Sequence, residues 1–167
     1  MKILETERLI LREIIEADAE FVLDLLNQPS FIKYIGDRNV RTPEQAREFI
    51  ENRYRASYAE HGFGLYTVEL KEINAPIGIC GFVKRDNLPE ADIGFAFLPQ
   101  FERKGYAFES ASAVLEYGRK TLKLGRVLAI TSTDNESSGR LLEKLGFEFE
   151  GSIKNNDEQL KLFSSDV

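Results

Sequence analysis

Apolar residues recur along the chain in short groups at two spacings. Arg8-Leu-Ile-Leu-Arg-Glu-Ile, Phe63 to Leu70, Pro76 to Lys84, Ala91 to Leu98, Val127 to Thr131, Phe147 to Ser152 and Glu158 to Phe163 are short runs bounded by charged or turn-forming residues, the pattern of strands. Asn74-Ala-Pro and Arg85-Asp-Asn-Leu-Pro predict hairpins between the middle three, and hence antiparallel order rather than repeated crossovers. Asn155-Asn156-Asp157 predicts a last hairpin.

Helical spacing appears in four places. Ala17 to Leu26 turns Ala17, Phe21, Val22 and Leu25 inward, and Asn27-Gln-Pro-Ser stops it, because Pro29 lacks an amide proton and restricts its predecessor. Thr42-Pro43-Glu44-Gln45 marks a helix start, with Thr42 as cap, Pro43 in the first position and Gln45 completing a capping box. Ala46, Phe49, Ile50, Tyr54 and Tyr58 then trace one face as far as His61-Gly62. Ala107, Ala111, Val114, Leu115, Gly118 and Leu122 form a stripe within Lys104 to Leu122. Asp134-Asn-Glu-Ser-Ser leads into a helix carrying Leu141, Leu142 and Leu145, which Gly146 ends. No linker or internal repeat divides the 167 residues, so one domain over 1–167 with a core of two packed layers is expected.

Composition narrows the class. No apolar run approaches the ~20 residues of a membrane span, and the charged opening from Met1 to Arg8 does not resemble a signal peptide, so a soluble cytoplasmic protein is expected, with no membrane partner. The lone Cys80 forms no internal disulfide and no cysteine-rich metal site; no metal is expected. A net charge of −6 argues against direct nucleic-acid binding and suits a cationic partner.

The candidate chemistry sits mid-chain, in Glu90-Ala-Asp-Ile-Gly-Phe-Ala-Phe-Leu-Pro-Gln-Phe-Glu-Arg-Lys-Gly-Tyr-Ala. An extended run ends near Pro99, a turn containing Gly105 follows, and a helix begins almost at once. Such a junction aims several unpaired backbone amides at one anion. The turn alone is a weak nucleotide signal, lacking both Gly-x-Gly-x-x-Gly and the lysine and hydroxyl of a P-loop. A second strand-to-helix junction at Asn135-x-x-Ser138-x-Arg-Leu-Leu-Glu-Lys-Leu-Gly-Phe147 raises its value, since the two can hold one extended ligand between them.

Taken in order, Thr6-Glu-Arg-Leu-Ile-Leu-Arg, Ala91-Asp-Ile-Gly-Phe, Arg103-Lys-Gly-Tyr-Ala and Asn135-Glu-Ser-Ser-Gly-Arg-Leu-Leu-Glu-Lys-Leu-Gly-Phe resemble the GNAT acyl-coenzyme A-dependent N-acetyltransferases, especially the branch that acetylates ribosomal-protein N termini. The resemblance implies an α+β fold, a mixed α/β sandwich whose mostly antiparallel seven-stranded central sheet has flanking helices and is splayed at its centre. The family's pyrophosphate loop, Gln/Arg-x-x-Gly-x-Gly/Ala, becomes Glu102-Arg-Lys-Gly-Tyr-Ala here, with Glu102 in place of a polar or basic residue. By resemblance, the amides of Arg103, Lys104, Gly105, Tyr106, Ala107 and Phe108 contact the pyrophosphate of acetyl-coenzyme A, provided Glu102 is turned outward. Asn135 holds the pantetheine arm, and Ser138 lies near the sulfur and returns a proton to the departing thiolate.

The implied reaction is direct attack of a neutral primary amine on the thioester, with backbone amides of Phe95, Ala96 and Phe97 stabilising the oxyanion. An α-amine of pKa about 8 is roughly 10% neutral at pH 7, against about 0.04% for a lysine near 10.4, so an α-amine needs less help. Asp92 is the leading base, acting through water, with Glu90, Glu109 and Tyr106 behind it; Tyr66 either lines the acceptor channel or packs. The expected acceptor is a basic ribosomal-protein or peptide N terminus. A small-molecule amine, or a noncatalytic acyl-coenzyme A sensor, is the alternative, in a monomer or homodimer.

Overall fold

The computed structural model describes residues 1–155 and 157–166. Eight strands form one sheet: β1 (Lys2–Glu5), β2 (Leu9–Glu13), β3 (Leu65–Leu70), β4 (Ala75–Val83), β5 (Asp92–Phe97), β6 (Arg126–Ser132), β7 (Glu148–Asn155) and β8 (Glu158–Asp166). Their spatial order is β1-β2-β3-β4-β5-β6-β8-β7. Every neighbouring pair is antiparallel except β5 and β6. The expected mixed sheet with flanking helices is therefore present, with one strand more than the seven expected. The addition is β1, whose pairing with β2 turns through Thr6-Glu-Arg. Asn156, inside the expected last hairpin, lies outside the described residues.

Side-chain alternation sorts the helices onto two faces. Leu9, Leu11, Tyr66, Val68, Cys80, Phe82, Ile93 and Phe97 share one core with Ala111 and Val114 of α5 (Tyr106–Lys120) and Leu142 of α6 (Glu136–Lys144). Ile79, Leu98 and Ala96 pack on the other face against α1 (Ala19–Leu26), α2 (Pro29–Tyr34) and α3 (Pro43–Phe49). No helix among the described residues is long and apolar enough to cross a membrane.

Several helix expectations change in detail. Residues Glu16–Asp18 form a 3₁₀ turn before α1, which leaves Ala17 exposed rather than inward, while Val22 and Leu25 are buried. The reason is Asp18, whose carboxylate takes both terminal nitrogens of Arg12 at 2.8 Å and the Ile15 amide at 3.0 Å. Burial alone would raise the Asp18 pKa, but Arg12 and the Ile15 amide hold it below the ordinary carboxylate range. Pro29 both ends α1 and opens α2 as its first residue. Thr42 caps α3 as expected, accepting from the Gln45 amide at 3.1 Å; Gln45 reaches back to the amide of Arg41 at 2.7 Å instead of that of Thr42. The helical path continues through a π-helical segment, Ile50–Arg55, into α4 (Ala56–His61), which Gly62 ends in the left-handed region.

The centre of the sheet is packed backbone against backbone. A Cβ on Gly81 of β4 would lie 2.1 Å from the Gly64 carbonyl oxygen and 2.8 Å from the Leu65 Cα. Gly81→Ala is expected to lower unfolding stability by about 1 to 3 kcal/mol through overpacking. Gly125→Ala, where nothing lies within 4 Å, is expected to stay within about 0.5 kcal/mol. Urea denaturation of the two variants checks both.

Candidate active site

Among the described residues, the only parallel strand contact is also the weakest. β5 and β6 are bridged at a single pair, Asp92 and Leu128, with the Leu128 amide donating to the Ala91 carbonyl at 3.0 Å. Beyond it the strands part, although β5 stays fully paired to β4 on its other side. Backbone groups alternate in direction along a strand. Ala91 bonds toward β6 while the Leu98 amide donates to Ile77 of β4 at 2.9 Å, so odd-numbered residues of β5 aim at β6 and even-numbered ones at β4. Past the bridge, Phe95 and Phe97 therefore present amides to the gap. Ala96 does not: its backbone belongs to the rung with Ile79. Of the three residues expected to line an oxyanion site, Phe95 and Phe97 turn their amides toward the gap and Ala96 turns its amide away.

At the end of β5 a 3₁₀ turn, Pro99–Phe101, leads through Glu102 to Gly105, the residue before α5. Gly105 has φ +84° and Arg103 φ +61°, so the chain enters the helix through two left-handed positions. Having no side chain, Gly105 supplies no cap. Among the described residues, none of the amides from Arg103 to Phe108 donates to a protein acceptor; the first bond of this turn is Glu109 N to Gly105 O at 3.0 Å. The Lys104 carbonyl, which Phe108 would otherwise use, takes Nη1 of Arg8 at 3.2 Å. Six consecutive donors at a helix N-terminus form a cradle for an anion. Glu102 is exposed and makes no ion pair among the described residues.

The cradle is held from outside. Glu109 accepts from Thr6 Oγ1 at 2.5 Å, the Arg8 amide at 3.0 Å and Arg8 Nε at 2.7 Å. Burial opposes its charge, but these donors keep its pKa below the usual range. The Arg8 guanidinium also lies 4.4 Å above the Tyr106 ring, and Tyr106 is buried. Glu109 and the Tyr106 ring are thus occupied in fixing the helix start. Tyr66 is fully buried and stacked on Tyr58 with centroids 5.6 Å apart, so it packs and does not line a channel.

The second junction follows β6, at the same end of the sheet. Asn135 caps α6, its Oδ1 accepting from the Ser138 amide at 3.3 Å. Its Nδ2 and the half-buried Ser138 hydroxyl have no partner among the described residues. Neither does the Thr131 hydroxyl, which is buried at the end of β6. Sequence reasoning passed over Thr131, since a threonine in a strand is ordinary. Lys144, in the last turn of α6, lies 4.3 Å over the Phe108 ring and draws α6 against the start of α5.

Asp92 occupies the opposite end of β5, 1% exposed, with Arg85 Nε 3.0 Å from its Oδ1. Burial raises its pKa to about 6 against the pull of Arg85. Phe95 is three positions further along the strand, roughly 10 Å of extended chain. Glu90 precedes β5 and keeps a buried Oε2 without a hydrogen-bond partner among the described residues. No group of three His, Cys, Asp or Glu among the described residues is placed to hold a metal ion.

Residues 8–148 match the family model described as an acetyltransferase (GNAT) domain. The chain is 37% identical over 153 residues to an uncharacterized N-acetyltransferase of Bacillus subtilis, YoaA, covering 91% of this chain and 86% of that protein. It is 31% identical over 159 residues to the [ribosomal protein uS5]-alanine N-acetyltransferase of Escherichia coli, covering 90% of this chain and 80% of that one. The crystal structure of a GNAT-family acetyltransferase from Bacillus anthracis superposes with a TM-score of 0.80 at 31% identity, covering 99% and 98% of the two chains. A family pattern running through most of the chain, relatives above 30% identity along nine-tenths of it, and a solved family member of closely similar fold establish that this chain belongs to the GNAT acetyltransferase family.

Proposed function

We propose that the protein transfers an acetyl group from acetyl-coenzyme A to a primary amine, most suitably the N-terminal α-amine of a protein or peptide. The observation that carries this reading is the run of six unpaired amides from Arg103 to Phe108 at the open end of β5. The arrangement suits a diphosphate, whose charge would meet the α5 N-terminus, while the pantetheine arm would run into the gap between β5 and β6. Asn135 Nδ2 and the Thr131 and Ser138 hydroxyls, unpartnered among the described residues, are the free polar groups of the β6–α6 junction beside that gap. Bound there, acetyl-coenzyme A supplies an activated thioester carbonyl.

The chain's own groups supply the remainder. The amides of Phe95 and Phe97 are fixed by the β4 ladder before any ligand arrives, so they can stabilise an oxyanion without reorganising. Ser138 returns a proton to the departing thiolate. Asp92 takes the amine's proton through water, the only route open across the separation from Phe95. The relative that acetylates the alanine of ribosomal protein uS5 supports an α-amine acceptor, as does the larger neutral fraction of such an amine near pH 7.

An acceptor panel tests the reaction class. Peptide N termini, including those of ribosomal proteins, should release thiol from acetyl-coenzyme A faster than lysine side chains or simple amines, with the acetyl group mapped to the α-nitrogen by mass spectrometry. Exclusive use of small amines would remove the peptide assignment and leave the chemistry.

The cradle is tested at Gly105. A side chain there must adopt φ +84° and would place Cβ 3.3 Å from Arg8 Nη2, so Gly105→Val should fold yet weaken acetyl-coenzyme A binding at least tenfold by calorimetry. Unchanged affinity in a folded variant would count against a cradle.

The base has a pH signature. A carboxylate acts as base only when ionised, and burial puts Asp92 at about 6, while the acceptor α-amine loses its proton near about 8. Log kcat/KM should therefore rise with slope two below pH about 6 and slope one from there to about 8. Asp92→Asn should lower activity about 100-fold and abolish the break near 6. A profile matching the wild type would remove Asp92 from the reaction.

A further inference from the structure

On the face of β5 that carries Asp92, Gly94 and Ala96, the helical layer presents a group of cations that the protein does not neutralise. The segment from Ile35 to Thr42, between α2 and α3, is clasped in place. Arg41 donates to Asn27 Oδ1 at 2.9 Å and to Asp37 Oδ2 at 2.6 Å, Asp37 Oδ1 takes the Asn39 amide at 2.8 Å, and Asn27 Nδ2 holds the carbonyl of buried Val40 at 2.8 Å. Arg38 projects from this clasp, half-buried, with Nη1 folded to within 3.1 Å of where a Cβ on Gly36 would stand.

Arg38 makes no hydrogen bond or ion pair among the described residues. Its neighbours are the Arg85 and Arg53 guanidiniums and the neutral Tyr54 phenol, and burial together with the two guanidiniums pulls its pKa below the arginine range. Arg53 is exposed, 5.6 Å from the Phe49 ring centroid, and likewise without an ion pair among the described residues. The Tyr54 ring stands edge-on to Phe49 at 5.2 Å and the residue is 7% exposed, yet its hydroxyl has no hydrogen-bond partner among the described residues. The nearby acids are committed elsewhere: Asp92 to Arg85, Asp37 to Arg41 and Glu51 to Arg55. Asp86 stands exposed in the turn after Arg85. In a chain of net charge −6, two unneutralised guanidiniums beside an unpartnered phenol are a local reversal of sign.

We propose that Arg38, Arg53 and the Tyr54 hydroxyl form an anion-receiving pole of the acceptor site, so that the preferred amine also carries a carboxylate. The inference rests on the acetyl-transfer reading and refines it. Guanidinium forks can only donate and a phenolic O–H can donate as well, and both match the acceptor-only oxygens of a carboxylate. Arg85, a neighbour of Arg38, is itself bound to Asp92, so the group lies on the Asp92 side of the proposed site. Such a group suits an acidic side chain of a peptide acceptor, or the terminal carboxylate of a dipeptide.

The test compares acceptors that differ only in charge. Amidated peptides beginning Ala-Asp and Ala-Asn separate the side-chain source, and Ala-Ala as acid and as amide separates the chain-end source. The wild type should favour the anionic member of at least one pair by tenfold or more in kcat/KM, mostly through KM. In Arg38→Gln and in Tyr54→Phe, which keeps the ring against Phe49, that ratio should shrink to within about twofold. Equal use of charged and neutral members, or a preference that survives Arg38→Gln, overturns the inference while transfer itself continues. No thiol release with any amine would instead sink the transferase reading, and this inference with it.

Discussion

The structure turns on a sheet that is closed at one point and open beyond it. An interior strand has ladders on both sides, and a buried amide or carbonyl left without one costs about 1 to 3 kcal/mol unless water or another group replaces the partner. β5 accepts that condition along most of one edge, being bridged to β6 only at Asp92 and Leu128. Its other edge compensates geometrically, with six successive residues registered against β4. The strand is therefore rigid where it is paired and available where it is not. Direction along β5 decides which groups are available, and it selects the backbones of Phe95 and Phe97 over that of Ala96.

The same logic governs the helix that follows. Amides at a helix start are always short of acceptors, and proteins ordinarily satisfy them with a side-chain cap or an acidic residue in the first turn. Here the capping position is a glycine. The first-turn acid, Glu109, is turned away by Thr6 and Arg8. Arg8 also occupies the Lys104 carbonyl, so Phe108 finds no partner in the turn behind it. A hairpin connection at the far edge of the sheet thus keeps a cradle open at its centre. Removal of that latch would free both the acid and the carbonyl to close on the amides, which makes the β1–β2 connection part of the site's architecture although it touches none of the proposed chemistry.

Local patterns were legible in the sequence, and long-range ones were not. Period-two runs located seven strands, and Thr42-Pro43 located a helix start, because those signals are confined to a few neighbouring residues. β1 escaped because Lys2-Ile-Leu-Glu places two apolar residues side by side and alternates poorly. The π-helical segment escaped because Ile50, Tyr54 and Tyr58 keep the same apolar spacing whether the turn holds one residue more or less. The Arg8–Glu109 pair joins residues 101 apart in the chain, and nothing local in either announces the other. The resemblance carried the loop from Arg103 to Phe108, but strand parity, which separates Ala96 from its neighbours, exists only once a ladder has a register.

Net charge misleads most where it is averaged most. An excess of acids over the whole surface acts through solvent, in which fields fade over about 8 Å at physiological ionic strength. It biases approach and says little about a half-buried site. Inside the helical layer, the carboxylates within reach of Arg38 and Arg53 are mostly tied to other partners, and there the local sign is positive. A peptide with a cationic amine and a nearby carboxylate satisfies both scales, drawn by the outer field through its ammonium and oriented within by its acid. Long-range attraction and short-range selection need not favour the same charge, so the acidity of the chain and a demand for an anionic acceptor are compatible properties of one enzyme.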